Sequence, residues 1–148
     1  MDRLATEQHC RTVLTGATVD ARVAAQVARL THAKPVLAVG RTSLMELAAL
    51  IGRCRVFVVS DTAPLHLAAA MGVPTVALFG STDPARHAPP SAVQRVLRVS
   101  LPCAPCYRAT CHRIGRGRME CMRKLTVEMV YQAVLAHLEG AAACASSS

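Results

Sequence analysis

The sequence predicts an α/β protein with a Rossmann-like parallel sheet and flanking helices. Val56–Val59 and Thr75–Phe79 are short, continuous apolar runs, which are typical of strands buried on both faces of a parallel sheet. The segment between them reads as an apolar helix with Pro64 in its first turn and Gly72 at its end. A strand, a helix and a strand joined by short connections predict a parallel βαβ unit.

Further elements precede this unit. Thr12–Gly16 predicts a short strand and turn, and Asp20–Leu30 predicts a helix because its apolar residues recur at helical spacing. Val36–Val39 predicts another strand. Ser43 and Glu46 form a capping-box pattern at the start of a helix that ends at a glycine. Local sequence signals therefore predict each of these elements.

Two elements are predicted after the βαβ unit. The alternation of Val93–Val99 predicts an edge strand. A last helix is expected to begin at Thr126, to bury an apolar face and to end at Gly140.

The predicted organisation is one domain with two weakly structured ends. Residues 1–10 are expected to form a disordered or frayed N-terminus, and residues 141–148 a low-complexity tail. The domain is predicted over residues 11–140, with a Cys/Arg-rich loop at residues 101–124. A chain of 148 residues with 52% hydrophobic composition suits one such core.

Composition also limits the setting in which the protein works. The sequence shows no basic-then-apolar leader and no apolar run of membrane-spanning length, which predicts a cytoplasmic protein. Without a signal peptide, its 7 cysteines are better interpreted as reduced thiols or metal ligands than as disulfides.

Polar turns follow both strands of the βαβ unit. Ser60–Thr62 follows the first strand and Gly80–Pro84 follows the second, so both turns are expected at the carboxyl edge of the sheet, where open α/β sheets bind ligands. The helix amino terminus after Asp61 offers free N–H groups to a diphosphate, with His66 beside it. Asp61 then either caps the helix or accepts hydrogen bonds from sugar hydroxyls. The alternative is that this turn only caps a helix and that His66 is a half-buried helix residue.

Three segments resemble the signature of glycosyltransferase family 9, the ADP-heptose:lipopolysaccharide heptosyltransferases. They are Ser60–Ala70 (SDTAPLHLAAA), Gly72–Thr75 (GVPT) and Phe79–Pro84 (FGSTDP). The resemblance extends over roughly residues 12 to 138 and is most specific between Ser60 and Pro84. It implies the carboxyl-terminal, nucleotide-sugar-binding half of a two-domain GT-B enzyme.

The same resemblance implies the residues of the donor site. In the family, the aspartate, the threonine, the small residue after it and the histidine contact the phosphates and sugar of the donor. These roles fall on Asp61, Thr62, Ala63 and His66. The family usually has glycine in place of Ala63, whose methyl group would crowd a phosphate if the backbone there needed positive φ.

A second group of binding residues is expected near the first strand. The family has an acidic residue near the start of the following helix that reaches the donor ribose, and Asp20 is the nearest candidate. The alternative is that Asp20 only favours a helix amino terminus. Thr15 and Gly16, at the end of their strand, are expected to line the same cleft.

The resemblance implies transfer of heptose from ADP-heptose to the lipopolysaccharide inner core, without a cofactor. The chain is expected to lack the first strand and helix of this half, together with the acceptor domain that carries the general base. No catalytic residue is therefore assigned, and the chain alone is expected to be inactive, poorly soluble or oligomeric unless a separate N-terminal half joins it. The alternative is a stand-alone or degenerate nucleotide-sugar-binding module without catalytic activity.

The Cys/Arg-rich loop contains a spaced set of thiols. Cys103, Cys106, Cys111 and Cys121 have the form C-x2-C-x4-C-x9-C, and four thiolates are able to hold zinc. The favoured interpretation is that they bind no metal and are small buried hydrophobic residues.

The same loop holds a large share of the formal charge of +8. Its basic residues are Arg108, Arg113, Arg116, Arg118, Arg123 and Lys124. A basic patch would suit an anionic lipopolysaccharide core and peripheral contact with the anionic inner-membrane surface, although a solvated loop is the simpler interpretation. A zinc-stabilised nucleic-acid binder is a further hypothesis, but an aromatic content of 3% offers no stacking platform, and no nucleic-acid partner is expected.

Overall fold

A computed structural model describes residues 1–145 of the chain. The chain divides into two compact units, a first unit of Met1–Ala49 and a second unit that begins at Leu50. Both units contain parallel strands with helices between them, so the predicted α/β class and parallel pairing are confirmed. None of the helices in the described range has the length and apolarity needed to cross a membrane.

The first unit contains a short two-stranded parallel sheet. Its strands pair in the register Val13↔Val36 and Leu14↔Leu37. Its elements are α1 (Asp2–Thr6), β1 (Val13–Leu14), a 3-10 turn (Thr18–Asp20), α2 (Ala21–Arg29), β2 (Val36–Leu37) and the start of α3 (Leu44–Gly52). The predicted strands and helices of this region are thus present, with the strands shorter than predicted.

The N-terminal segment is ordered, and the prediction of a frayed end at residues 1–10 is wrong. The Asp2 carboxylate, in the first turn of α1, accepts a hydrogen bond from the backbone N–H of Ala33 at 2.8 Å and another from the Thr31 hydroxyl. The Thr31 hydrogen bond is the main reason that the pKa of Asp2 lies below its ordinary value. One side chain thus ties α1 to the segment that follows α2.

The second unit is built on a three-stranded parallel sheet. Its strand order is β3-β4-β5, with β4 in the centre. Its elements are β3 (Phe57–Ser60), α4 (Ala63–Ala70), β4 (Thr75–Phe79), α5 (Pro84–His87), β5 (Gln94–Arg98), a 3-10 turn (Gly115–Gly117), α6 (Glu120–Arg123) and α7 (Val127–Ala145). The predicted βαβ unit corresponds to β3, α4 and β4.

The core of the second unit lies on both sides of the central strand. Phe79, Leu65 and Ala77 are fully buried and pack together, which joins β4 to α4. On α7, Val134 and Leu138 are also buried, and this helix packs against β4 and β5. Burying such side chains is the main stabilising contribution expected in a small domain.

The burial of the first strand of this unit was predicted wrongly. Residues 57–60 alternate between half-buried and exposed, and Val58 is 42% exposed. Successive side chains of a strand point to opposite faces of the sheet, so the face that carries Val58 and Ser60 is exposed. In addition, β3 lies at the edge of the three-stranded sheet and pairs with β4 only. The apolar run was sufficient to indicate a strand but not its position in the sheet.

The last helix is longer than predicted. Gly140 does not end α7, because the helix continues to Ala145. A glycine costs only about 1 kcal/mol in a helix interior, so a helix anchored by a buried face can pass through it. The predicted tail at residues 141–148 is therefore helical as far as Ala145, and its last three residues lie outside the described range.

Candidate functional site

A cavity of about 390 Å³ lies where β3 and β4 end. Both polar turns that follow these strands line it, and the Cys/Arg-rich loop and α6 line its other side. Its lining residues are Ser60, Asp61, Leu78, Gly80, Ser81, Thr82, Cys106, Arg108, Ala109, Thr110, Cys111, Arg118, Met119, Cys121 and Met122. The cavity thus occupies the carboxyl edge of the sheet, where the sequence predicts a ligand site.

The turn after β3 leads directly into α4 without a side-chain cap. Thr62 occupies the N-cap position, but its hydroxyl donates to the Ser60 carbonyl at 3.3 Å instead of accepting from the first helical turn. The Asp61 carboxylate accepts no hydrogen bond from the residues that the structure describes. The prediction that either side chain caps the helix is therefore wrong. Pro64 has no N–H, and the Leu65 N–H donates to the Thr62 carbonyl at 2.9 Å. This leaves the Ala63 N–H at the helix terminus for an anionic ligand.

Ala63 is the first residue of α4 and has ordinary helical backbone geometry. In the described range, the non-glycine residues with positive φ are His9, Lys34, Tyr107 and Met119. The predicted crowding at Ala63 depended on a positive φ, so its methyl group does not strain the turn.

The turn after β4 connects the sheet to the Cys/Arg-rich loop. The Ser81 carbonyl accepts the backbone N–H groups of Cys106 at 2.9 Å and Tyr107 at 2.8 Å. Farther along, the Asp83 carboxylate accepts the N–H of Ala85 at 3.1 Å and lies 3.5 Å from Arg98. The two Ser81 bonds hold the start of the loop against the end of β4, and the Asp83 contacts link the same turn to α5 and β5.

The basic residues of the loop have different roles. Arg108 and Arg118 line the cavity. Arg113 and Lys124 instead form ion pairs with Glu120, at 3.2 Å and 2.7 Å. The Lys124 hydrogen bond is the main reason that the pKa of Glu120 is lowered. The positive charge that faces the cavity therefore comes from two arginines rather than from the whole predicted patch.

The four spaced cysteines do not assemble into a metal site. Among the described side chains, those of residues 1–140, no three or more His, Cys, Asp or Glu form a group able to hold a metal ion. The Cys103 thiol faces the Arg113 guanidinium at 3.6 Å, while Cys106, Cys111 and Cys121 line the cavity. The prediction that these four cysteines are buried is wrong, since Cys111 is exposed and the other three are half-buried.

The predicted site residues fall into two groups. In the second unit, Asp61 lines the cavity, whereas Thr62 and Ala63 lie next to it in the chain, at the start of α4. His66 lies one turn into α4 with an exposed side chain and is not among the lining residues. Binding roles for these residues remain predictions.

The other group lies in the first unit, at the end of β1. Thr15 and Gly16 follow this strand, and the Asp20 carboxylate accepts the N–H of Ala17 at 2.9 Å. A Cβ atom on Gly16 would lie 3.0 Å from Asp20 Oδ2, so the glycine leaves room for that carboxylate. The structure thus brings Thr15, Gly16 and Asp20 together, and their place in a donor cleft remains a prediction.

Sequence reasoning missed the far wall of the cavity. Arg108, Arg118 and Cys111 come from a loop without helical or strand periodicity, so nothing in the sequence indicates which way it folds. The usable signal was the density of arginine and cysteine in one segment, which predicted chemistry but not location.

The parallel α/β fold and a cavity at the strand ends define a Rossmann-like domain of the GT-B type. The family model of glycosyltransferase family 9 (heptosyltransferase) matches residues 1–114. The chain therefore belongs to glycosyltransferase family 9.

Named relatives agree with this assignment. The chain is 42% identical over 71 residues to lipopolysaccharide heptosyltransferase 1 of Pseudomonas aeruginosa, covering 48% of this chain and 20% of that protein. It is 31% identical over 93 residues to lipooligosaccharide heptosyltransferase 2 of Campylobacter jejuni, covering 62% of this chain and 28% of that protein. These matches place it among heptosyltransferase-like glycosyltransferases.

Solved structures support the same fold. A glycosyltransferase family 9 protein of Veillonella parvula superimposes with a TM-score of 0.77 and 26% identity over 94% of this chain. The ADP-heptose lipopolysaccharide heptosyltransferase II of Escherichia coli gives a TM-score of 0.75 and 25% identity over the same share. The chain spans 39% and 40% of these two proteins, and less than a third of the two enzymes named above.

Proposed function

We propose that this chain is the donor-binding domain of a heptosyltransferase and binds ADP-heptose in the cavity at the ends of β3 and β4. The observation that carries the proposal is that both polar turns and two arginines, Arg108 and Arg118, surround one space. A diphosphate needs positive charge and N–H donors. The two arginines supply the charge, and we assign one N–H donor to Ala63 at the start of α4.

Asp61 is proposed to recognise the sugar part of the donor. Its carboxylate lines the cavity and accepts no hydrogen bond from the described residues, so it is free to accept hydrogen bonds from the hydroxyl groups of a sugar. It would repel a phosphate that it faced directly. We therefore assign the phosphates to the two arginines and the Ala63 N–H, and a sugar hydroxyl to Asp61.

In the intact enzyme, the proposed reaction transfers heptose to a hydroxyl of the lipopolysaccharide inner core by direct displacement at the anomeric carbon. The ADP leaving group develops negative charge as the bond breaks. Arg108 and Arg118, which line the cavity, would stabilise that charge, together with the Ala63 N–H at the start of α4. The base that deprotonates the acceptor hydroxyl is assigned to no residue of this chain.

The remaining basic residues support a secondary part of the proposal. Arg116 and Arg123 are exposed on the same loop, and Arg123 donates to the Arg116 carbonyl at 3.4 Å. An exposed pair of cations suits an anionic acceptor or a peripheral contact with anionic lipid. Because Arg113 and Lys124 are already paired with Glu120, we expect this attraction to be weak and sensitive to salt.

Calorimetric titration with ADP and with ADP-heptose tests the donor site. We expect saturable binding of both ligands by the wild-type chain. Asp61→Ala should weaken the binding of ADP-heptose by about 10-fold or more, because a hydrogen bond to a charged group is lost. The same substitution should weaken the binding of ADP less. Arg118→Gln should weaken the binding of ADP and of ADP-heptose to the same extent.

Glu139→Ala provides the matched control, since it removes one exposed carboxylate from α7, away from the cavity lining. It should bind both ligands like the wild type. The proposal would be rejected if a folded wild-type chain, checked by circular dichroism, bound neither ligand.

A further inference from the structure

The first unit contains a cavity of its own, which the proposed function does not use. Its volume is about 320 Å³, and its lining residues are Ala5, His9, Cys10, Arg11, Thr12, Ala33, Lys34 and Val36. Thr12 directly precedes β1 and Val36 begins β2, so we call this space the amino-edge cavity. Thr15 and Gly16, which are predicted to bind the donor, follow the other end of β1. Four residues of extended chain, about 13 Å, separate Thr12 from Gly16.

Three basic side chains line the amino-edge cavity, and no acidic residue does. The basic residues are His9, Arg11 and Lys34, all of which are exposed. The ion pairs of the described residues involve other cations, so none of these three is paired with a carboxylate. Three basic groups that meet at one space without a counter-charge favour an anion there.

The carboxylates of the first unit already have partners. Asp2 accepts hydrogen bonds from Thr31 and Ala33, Glu7 pairs with Arg3, Asp20 accepts the N–H of Ala17, and Glu46 caps α3 through Ser43. Asp2 is the one bonded to a lining residue, Ala33, but it does not line the cavity itself. The unit therefore provides no spare carboxylate for the three basic side chains.

Two of these basic residues have a backbone conformation that favours glycine. His9 has φ of 51° and Lys34 has φ of 47°. In the described range, two further non-glycine residues, Tyr107 and Met119, have positive φ, and neither lies in the first unit. Glycine would adopt this conformation with less strain, and strained backbone is concentrated at sites that contact ligands. The chain thus has basic side chains at two positions where folding alone favours glycine.

The Thr12 hydroxyl is an independent sign of a ligand. Its oxygen is buried and has no hydrogen-bond partner among the described residues. A buried polar group without a partner is destabilising, and in native structures it often marks a bound water or ion. Because Thr12 lines the amino-edge cavity, a change of its χ1 rotamer would turn the hydroxyl toward an anion bound there.

We propose that the amino-edge cavity is a binding site for the phosphate group of a phosphomonoester. Such a group carries a charge of about −1.5 to −2 near neutral pH and three acceptor oxygens, so it suits three basic side chains better than a carboxylate does. Arg11 offers the planar set of N–H donors that matches phosphate oxygens, and Lys34 adds a compact charge. The site belongs to the first unit and does not depend on donor binding at β3 and β4.

The test is a titration of the ¹⁵N-labelled, full 148-residue chain with inorganic phosphate, followed by amide chemical shifts. We expect saturable shifts at Arg11, Thr12 and Lys34. Phosphate is also expected to reach the donor cavity, but Arg118→Gln should remove only the response there. The proposal would be overturned if the three amides showed no saturable shift, or if acetate shifted them as strongly as phosphate at equal concentration.

Substitutions separate the loss of charge from damage to the fold. Arg11→Gln should raise the dissociation constant at the amino-edge cavity by at least about 3-fold. Lys34→Gly should weaken binding similarly, yet unfold at the same temperature as the wild type or higher, because glycine accepts positive φ. Arg22→Gln is the matched control, since Arg22 is exposed at the start of α2 and does not line the cavity. An equal loss of binding in this control would overturn the proposal.

Two further probes distinguish the sources of such a phosphate group. Saturable shifts at Thr12 and Lys34 with glycerol 3-phosphate would identify a soluble phosphomonoester as the ligand. Co-sedimentation with phosphatidylcholine vesicles that contain phosphatidic acid, but not with pure phosphatidylcholine, would identify a lipid headgroup. In either case Arg11→Gln should weaken the interaction and Arg22→Gln should not. Failure of both probes would overturn the proposal.

Discussion

Gly80 lies so close to Met122 that a Cβ atom at position 80 would be 2.7 Å from the Met122 Sδ. The same atom would lie 3.2 Å from the Met122 Cγ and 3.3 Å from the Cys121 Sγ. Gly80 is buried at the end of β4, and α6 packs against this strand. The absence of a side chain therefore allows α6 to approach the sheet and close one wall of the cavity.

Gly80→Ala should destabilise the fold by about 1–3 kcal/mol, the usual cost of overpacking a filled site. Urea unfolding followed by circular dichroism measures the change. Met122→Ala removes the atoms that clash, so adding Gly80→Ala to that variant should cost clearly less than adding it to the wild type.

Gly140→Ala is the matched control, because a Cβ atom there meets no atom of the described residues within 4 Å. Inside α7 it should leave stability unchanged or raise it, by up to about 1 kcal/mol. Equal effects of the two glycine substitutions would contradict the packing described here.

Local patterns predicted the centre of the second unit well. The apolar run Thr75–Phe79 matches β4 residue for residue, and Pro64 lies in the first turn of α4 as expected. An apolar run and a proline in the first turn of a helix depend only on residues that are close in the sequence, so they can be recognised without the structure. The capping-box pattern of Ser43 and Glu46 is confirmed for the same reason.

Long-range contacts explain the parts that were not predicted. The order of residues 1–10 depends on Asp2 binding Thr31 and Ala33, about thirty positions away. Likewise, the cavity needs the loop that contains Arg118 to fold back onto the turn after β4. No periodicity or capping signal encodes such contacts, so the sequence indicated the two polar turns of the cavity wall but not the loop that forms the rest of it.

The capping box of α3 makes stability depend on pH. The Glu46 carboxylate accepts the backbone N–H of Ser43 at 2.7 Å and its hydroxyl at 2.8 Å. The backbone bond is the main cause of the lowered pKa of Glu46. The pKa of Glu46 is lower in the folded state than in the unfolded state. Its carboxylate therefore stabilises the fold at pH values above its unfolded-state pKa, about 4.3. This stabilisation is lost as the pH falls through the folded-state pKa.

We therefore expect Glu46→Gln to be less stable than the wild type near neutral pH, with a difference that shrinks below about pH 4.3. Ser43→Ala should cost about 1 kcal/mol at neutral pH, the usual effect of losing an N-cap side chain. Thermal unfolding at several pH values measures both effects. A difference between Glu46→Gln and the wild type that did not shrink as the pH falls would contradict the capping explanation.

Cys111 also provides a probe for where the nucleotide binds, if the donor proposal is correct. Because Cys111 shares the cavity with Asp61 and Arg118, a ligand that fills the cavity should block alkylation of its thiol. At ADP concentrations ten times the dissociation constant, the rate at Cys111 should fall about tenfold, since only the free fraction reacts. The rate at Cys54 should not change, because Cys54 is not among the lining residues.

Adenosine serves as the ligand control, since it lacks the phosphates that the arginines are proposed to bind. It should protect Cys111 much less than ADP does. If calorimetry showed ADP binding while the alkylation rate at Cys111 stayed the same, the nucleotide would have to bind outside this cavity. Protection by ADP that disappears in Arg118→Gln would instead link the thiol, the arginine and the diphosphate in one site.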